Sequence, residues 1–243
     1  MSPRIWTVPM TFHHLRHLHL SCIEHEPGLC VLPSLPALET LALNFCCYCL
    51  DCPRNGRGPS ALLQFHGLPQ LRTLSISGAQ EQSVIWCGRA TQLQTLEVTF
   101  SSGMDLNGLL ACLGRDLKEL YISDCEFVAE EPTPPVVFPV LRRVRILESL
   151  SSLASFCSVE VPLSAVFHVR IEPDDFEDLK DWPLVWELLT RNSVSLSLAG
   201  STILQSPLHP TSRLSQVASL PHVRLEGQNW PRPVVAAKAG AVA

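Results

Sequence analysis

The densest run of reactive side chains in the sequence is Cys46-Cys47-Tyr48-Cys49-Leu50-Asp51-Cys52. Cys49 and Cys52 form a C-x2-C pair, the spacing with which two thiolates grip a tetrahedral zinc ion while a second pair arrives from elsewhere. Cys46 and Cys47 are adjacent, and neighbours reach one ion only under strain. Placed just behind a leucine-rich stretch, these cysteines fit better as small buried hydrophobes. A second group comprises His13, His14, His17, His19 and His25. His17 and His19 share one face of an extended chain, but no third ligand stands at a matching spacing. Asp174, Asp175, Glu177 and Asp178 offer paired carboxylates for acid–base work. They follow Pro173, and Asp174 with Glu177 three residues on has the spacing of a helix capping box, so capping accounts for them more simply. The sequence contains no G-x-S-x-G, glycine-rich phosphate loop, H-E-x-x-H or dinucleotide fingerprint. No catalytic residue, metal or cofactor is therefore expected. A metal-dependent or thiol enzyme built around Cys46–Cys52 remains the alternative reading.

The elements that must position any site are set by a repeat. The spacing L-x-x-L-x-L occurs at Leu15/Leu18/Leu20, Leu38/Leu41/Leu43, Leu71/Leu74/Ile76, Leu93/Leu96/Val98, Leu117/Leu120/Ile122, Leu141/Val144/Ile146 and Val166/Val169/Ile171. Leu196/Leu198, without a leading apolar residue, and Leu220/Val223/Leu225 close the series. The second and third apolar positions alternate and so face one side of a short strand, while the first turns inward from the approach to it. One such unit cannot bury its own apolar face, but stacked units form a continuous ribbon of core. Successive starts are mostly 22–25 residues apart, within the leucine-rich-repeat period of about 20–29. The expected fold is an α/β leucine-rich-repeat solenoid with a curved parallel sheet inside and helices and turns outside. Its array spans 12–226, after an approach segment at 1–11 and before a flexible tail at 227–243.

Residues flanking the strand apolars point outward, onto the concave face of such a solenoid. Early rows are small and hydroxylic (Thr40/Ala42/Asn44, Thr73/Ser75/Ser77), Glu97 and Glu119 stand midway, and arginine enters at 143. Glu119, Tyr121, Arg143, Arg145, His168 and Arg170 are the expected partner-binding residues, with Arg143, Arg145 and Arg170 laterally adjacent near Tyr121. Arginine and tyrosine anchor interfaces, and the guanidinium fork suits carboxylate or phosphate. The expected partner is a protein segment, acidic or phosphorylated.

Between strands, Ser60–Gly67, Asp105–Gly114, Glu148–Phe156 and Arg213–Leu220 carry short-helix signals. Pro183 restarts the helix signalled from Asp174, since it suits a first helical position, with Leu184/Leu188 and Val185/Leu189 paired at i,i+4. Cys46–Pro59 and the acidic, proline-rich Glu130–Pro135 read as insertions. The 243 residues are 46% hydrophobic and carry a net charge of −5, which gives no global electrostatic case for nucleic acid. No apolar run approaches the roughly 20 residues that span a bilayer. No secretory h-region opens the chain, so a cytoplasmic or nuclear setting with reduced thiols is expected.

Leu35-Pro36-Ala37-Leu38, Leu68-Pro69-Gln70-Leu71 and Phe138-Pro139-Val140-Leu141 share a lead-in dialect. With Phe12-His-His-Leu-Arg-His-Leu-His-Leu20 and Leu38-Glu-Thr-Leu-Ala-Leu43, it resembles the leucine-rich regions of large fungal F-box protein families over about residues 5–226. In that family an F-box docks on a Skp-type adaptor and the repeats capture substrates for a cullin ubiquitin ligase. The resemblance therefore implies a non-enzymatic protein–protein interaction module, with the adaptor as a partner if an F-box lies upstream. No Leu-Pro-x-Glu-[Ile/Leu] opening precedes the first repeat. The chain is accordingly expected to be a fragment, a repeat-only relative or a truncated, non-functional paralogue.

Overall fold

The computed structural model describes residues 12–23, 30–31, 34–45, 61–79, 84–104, 106–127, 136–147, 159–171, 182–198 and 212–226. Their strands, in chain order, are β1 (His17–Ile23), β2 (Cys30–Val31), β3 (Thr40–Phe45), β4 (Ala61–Gln64), β5 (Thr73–Ser77), β6 (Val84–Cys87), β7 (Thr95–Thr99) and β8 (Ser102–Met104). They continue as β9 (Glu119–Ser123), β10 (Glu126–Phe127), β11 (Val136–Val137), β12 (Arg143–Leu147), β13 (Val159–Glu160), β14 (Val166–Ile171), β15 (Ser193–Leu198) and β16 (Val223–Glu226). One nine-stranded sheet runs β1-β3-β5-β7-β9-β12-β14-β15-β16, every neighbouring pair parallel. The described residues form a parallel β-solenoid with few helices.

The repeat spacing explains the sheet. Leu18, Leu41, Leu74, Leu96, Leu120, Val144, Phe167 and Val194 stand side by side in register, and Leu20, Leu43, Ile76, Val98, Ile122, Ile146, Val169 and Leu196 form a second row. From β3 to β15 both rows are fully buried, whereas Leu15, Leu18 and Leu20 in the first unit are only half-buried. Each buried leucine contributes on the order of 1.5–3 kcal/mol, and only a neighbouring unit can provide that burial.

A tight turn delivers the chain to these strands. Leu38 N–H donates to Leu35 O, Leu71 to Leu68, Leu141 to Phe138 and Val223 to Leu220. Pro36, Pro69, Pro139 and Pro221 therefore occupy the second turn position, which the pyrrolidine ring pre-sets. Beyond it, two successive N–H groups share one carbonyl of the preceding unit. Glu39 and Thr40 donate to Arg16 O, and the same arrangement recurs with Arg72 and Thr73 on Glu39 O and with Gln94 and Thr95 on Arg72 O.

The strands end in a repeated left-handed residue: Gly78 (φ 71°), Phe100 (φ 50°) and Asp124 (φ 51°) occupy equivalent places after β5, β7 and β9. Each N–H extends the ladder into the next unit, onto Thr99 O, Ser123 O and Leu147 O respectively. A non-glycine residue there costs on the order of 1–2 kcal/mol. The repeated hydrogen bond helps hold that conformation.

The back of the solenoid differs from the helical exterior expected. Instead of a helix over Ser60–Gly67, strand β4 leads into a 3-10 turn at Phe65–Gly67. There β2, β4 and β6 form a parallel three-stranded sheet, and β8–β10 and β11–β13 form two-stranded ones. Lateral pairing satisfies the backbone of return segments shared between units. Three α-helices appear among the described residues: α1 (Leu106–Ala111), α2 (Trp182–Arg191) and α3 (Arg213–Ala218). Helix α1 lies within the expected Asp105–Gly114 and buries Leu106, Leu109 and Leu110, with Leu113 buried just beyond it. Pro183 is the second residue of α2, and Val185, Leu188 and Leu189 face the core. Ser212 caps α3 by accepting from Ser215 N–H at 3.2 Å. Arg213 lies over the Trp182 ring at 5.3 Å, tying α3 to α2.

The approach segment 1–11, the tail 227–243, Cys46–Pro59, Glu130–Pro135, Glu148–Phe156 and Asp174–Asp178 lie outside the described residues.

Candidate partner-binding face

The residues between the buried rows form three outward rows. The first runs His17–Thr40–Thr73–Thr95–Glu119–Arg143–Val166–Ser193, and the middle one His19–Ala42–Ser75–Glu97–Tyr121–Arg145–His168–Ser195–Arg224. The third places Asn44, Ser77, Thr99, Ser123, Leu147, Arg170 and Ser197 together. His17 and His19 stand at one edge, small and hydroxylic side chains dominate β3 and β5, and most of the charged and aromatic groups gather on β7, β9, β12 and β14.

All six expected site residues belong to these rows, but their neighbours differ from expectation in one unit. The spacing Val166/Val169/Ile171 would set Arg170 beside Arg145. The observed register pairs Arg145 with His168 and Leu147 with Arg170. The inward residues of β14 are thus Phe167 and Val169, while Val166 is a half-buried member of the first outward row. The cause is a lead-in shortened by one residue: buried Ala165, whose N–H donates to Pro162 O, precedes Phe167 by two positions instead of three. Buried Asn192 precedes Val194 in the same way, so Val194 and Leu196 are the inward pair of β15, in place of Leu196 and Leu198.

Electrostatically the rows are unequal. Arg143 Nη1 donates to Glu119 Oε1 at 3.1 Å, a lateral ion pair between facing residues of β9 and β12, both about half exposed. Such a pair contributes about 0–1 kcal/mol and largely cancels its own field. Exposed Arg145 makes no ion pair among the described residues, and Tyr121 beside it is half-buried. Glu97, on the other side of Tyr121, is likewise half-buried and without an ion-pair partner among the described residues. His222 is committed elsewhere: its Nε2 donates to Leu189 O at 2.7 Å, near the end of α2.

The sequence reading passed over one aromatic residue at the rim of this face. Phe100 is 53% exposed and left-handed. No glycine or asparagine marked the position, although Gly78 signals it one unit earlier.

For thiol chemistry, the Cys46–Cys52 cluster and His25 lie outside the described residues. No group of three metal-ligating side chains occurs among the described residues. The thiol of Cys125 is buried and donates to Ser123 O at 3.1 Å. Burial, the main cause, pushes its pKa up from 9.0 to about 11, which makes it a poor nucleophile. The folded state holds this proton more tightly than the unfolded chain. Its stabilising contribution is therefore complete below about pH 9 and is lost as pH rises through about 11. Urea unfolding at pH 8, 9.5 and 11 is expected to show a steeper alkaline loss for the native sequence than for Cys125→Ala; parallel curves would contradict the shift.

The fold and this face define a class: a parallel β-solenoid that presents lateral rows of outward side chains. No family model matches the chain, and neither the curated proteins nor the solved structures contain a match to it. No helix among the described residues is long and apolar enough to cross a membrane.

Proposed function

We propose that this chain is a non-enzymatic protein-binding module of the leucine-rich-repeat kind, whose outward sheet face captures an acidic or phosphorylated segment of a partner protein. The observation that carries the reading is the row Tyr121–Arg145–His168, in which an exposed guanidinium with no ion-pair partner among the described residues lies between two ring side chains. Solenoids characteristically bind through such extended faces. A period mostly between 22 and 24 residues from β3 to β14 and the proline turn before several strands support the leucine-rich-repeat assignment. By resemblance, the repeats of fungal F-box substrate receptors offer a functional analogy.

The test is affinity capture from the native cell extract with the intact chain and with charge-reversed variants. Arg145→Glu is expected to lower partner capture roughly fivefold, the upper range for loss of an exposed charge pair. Arg143→Glu should lower it less, because Arg143 is already paired with Glu119. Arg145→Glu should unfold within about 0.5 kcal/mol of the parent, as exposed substitutions do, whereas Arg143→Glu sets a like charge opposite Glu119 and should cost about 1 kcal/mol. Undiminished capture by Arg145→Glu would remove this face from the binding site. Co-recovery of a Skp-type adaptor and a cullin would support the ligase analogy; a reproducible partner without them would mark a stand-alone module.

A further inference from the structure

Two acid–base pairs lie on the outward face, and the fold treats them differently. Glu119 and Arg143 face each other on adjacent strands and close at 3.1 Å. Glu97 and Arg145 stand in the middle row with Tyr121 between them: Glu97 pairs in register with Tyr121, and Tyr121 with Arg145. Two strand spacings separate their backbones, about 10 Å. Neither charge has an ion-pair partner among the described residues. The first pair neutralises itself, whereas the second is held open across an aromatic ring.

We propose that Glu97, Tyr121 and Arg145 form one recognition unit for an extended peptide that crosses the strands and carries a basic and an acidic residue three positions apart. This inference rests on the proposed binding role of the face and specifies the ligand. A polyproline-II-like extended chain advances about 3.1 Å per residue and turns once in about three residues, so residues three apart face the same side and span about 9 Å, close to the two strand spacings. A lysine or arginine meets Glu97, an aspartate, glutamate or phosphorylated residue meets Arg145, and the intervening backbone lies over Tyr121. The flanking outward residues Ser75 and Thr95 are small or short, which leaves the approach to Glu97 open on that side. The closed Glu119–Arg143 pair sets a lower border and contributes little net charge to compete for the ligand.

The geometry also fixes how variants behave. Because a peptide can lie across the strands in either direction, exchanging the two charges should preserve the ligand, while reversing one alone should change it. The test is selection of a phage-displayed random dodecapeptide library on the immobilised full chain, on Glu97→Lys, on Arg145→Glu and on the double variant. The native chain is expected to enrich peptides with opposite charges three residues apart. Glu97→Lys should enrich two acids at that spacing, Arg145→Glu two bases, and the double variant the native motif again. For a peptide selected on the native chain, each single variant should weaken binding roughly fivefold, the upper range for an exposed charge pair, and the double variant should restore it.

Enrichment of acidic peptides without a spaced base, unchanged by Glu97→Lys but lost with Arg145→Glu, would overturn this inference and leave the proposed basic site standing. Enrichment unaffected by both single variants would overturn both. Intact folding of all four proteins, checked by urea unfolding, excludes a trivial loss.

Discussion

Phe167→Ala is expected to destabilise the array by about 3–5 kcal/mol, the cost of emptying a fully packed aromatic site. Val166→Ala, one residue earlier, should cost less than about 1 kcal/mol. Phe167 is 1% exposed and aligned with Val144 and Val194, whereas Val166 is half-buried in the outward row between Arg143 and Ser193. Urea unfolding of the two variants against the parent makes the comparison directly. The reverse order, with Val166 the costly position, would mean that β14 is displaced along its neighbours, and His168 would then no longer flank Arg145.

Gly114→Ala is the second large effect. A Cβ at Gly114 would lie 2.5 Å from Thr91 O, 2.7 Å from Thr91 Cα and 2.8 Å from Thr91 C. All three are backbone atoms, so no side chain can rotate aside. The same spot zips two units together: Gly114 N–H donates to Ala90 O, and Ala90 N–H to Cys112 O, both at 3.0 Å. Relief requires separating these strands of hydrogen bonding or bending the Ala90–Leu93 turn, whose ends Ala90 and Leu93 are buried. Overpacking of this kind costs typically about 1–3 kcal/mol, and the backbone origin of the clash argues for the upper end. Gly67→Ala provides a contrast, because its Cβ would meet Ser34 Cα at an ordinary 3.4 Å. Thermal unfolding of the pair is expected to show a clear drop for Gly114→Ala and a much smaller one for Gly67→Ala; equal shifts would contradict the close approach.

The sheet was largely legible in the sequence because its inward residues obey one spacing. Leu41/Leu43, Leu74/Ile76, Leu96/Val98, Leu120/Ile122 and Val144/Ile146 are all buried as that spacing requires. The displacement in β14 escaped it for a physical reason. A shift of one residue exchanges the two faces of a strand, but a shift of two preserves them. His168 and Arg170 therefore face outward in either register, and only the neighbouring strand distinguishes the two. The shortened turn ending at Ala165 sets that neighbour, and a small residue at the leading position carries no leucine signal. The return segments were less legible still. Ala61-Leu62-Leu63-Gln64 reads as a helix by composition, yet pairing with β2 and β6 makes it a strand, a tertiary preference that local propensity does not contain. Of the candidate site, residue types and outward direction were readable. The closed Glu119–Arg143 pair and the open Glu97–Arg145 pair required the lateral register.

The graded burial along the sheet gives the molecule a centre that its chain does not have. Leu18 and Leu20 at one end and Val223 at the other are half-buried, while the same rows are sealed between β3 and β15. Opening therefore proceeds as fraying from both ends, and amide protons should be retained longest in β7, β9 and β12. Those are the strands that carry Glu97, Tyr121 and Arg145. The array can lose its outer rungs and still keep the proposed recognition unit aligned.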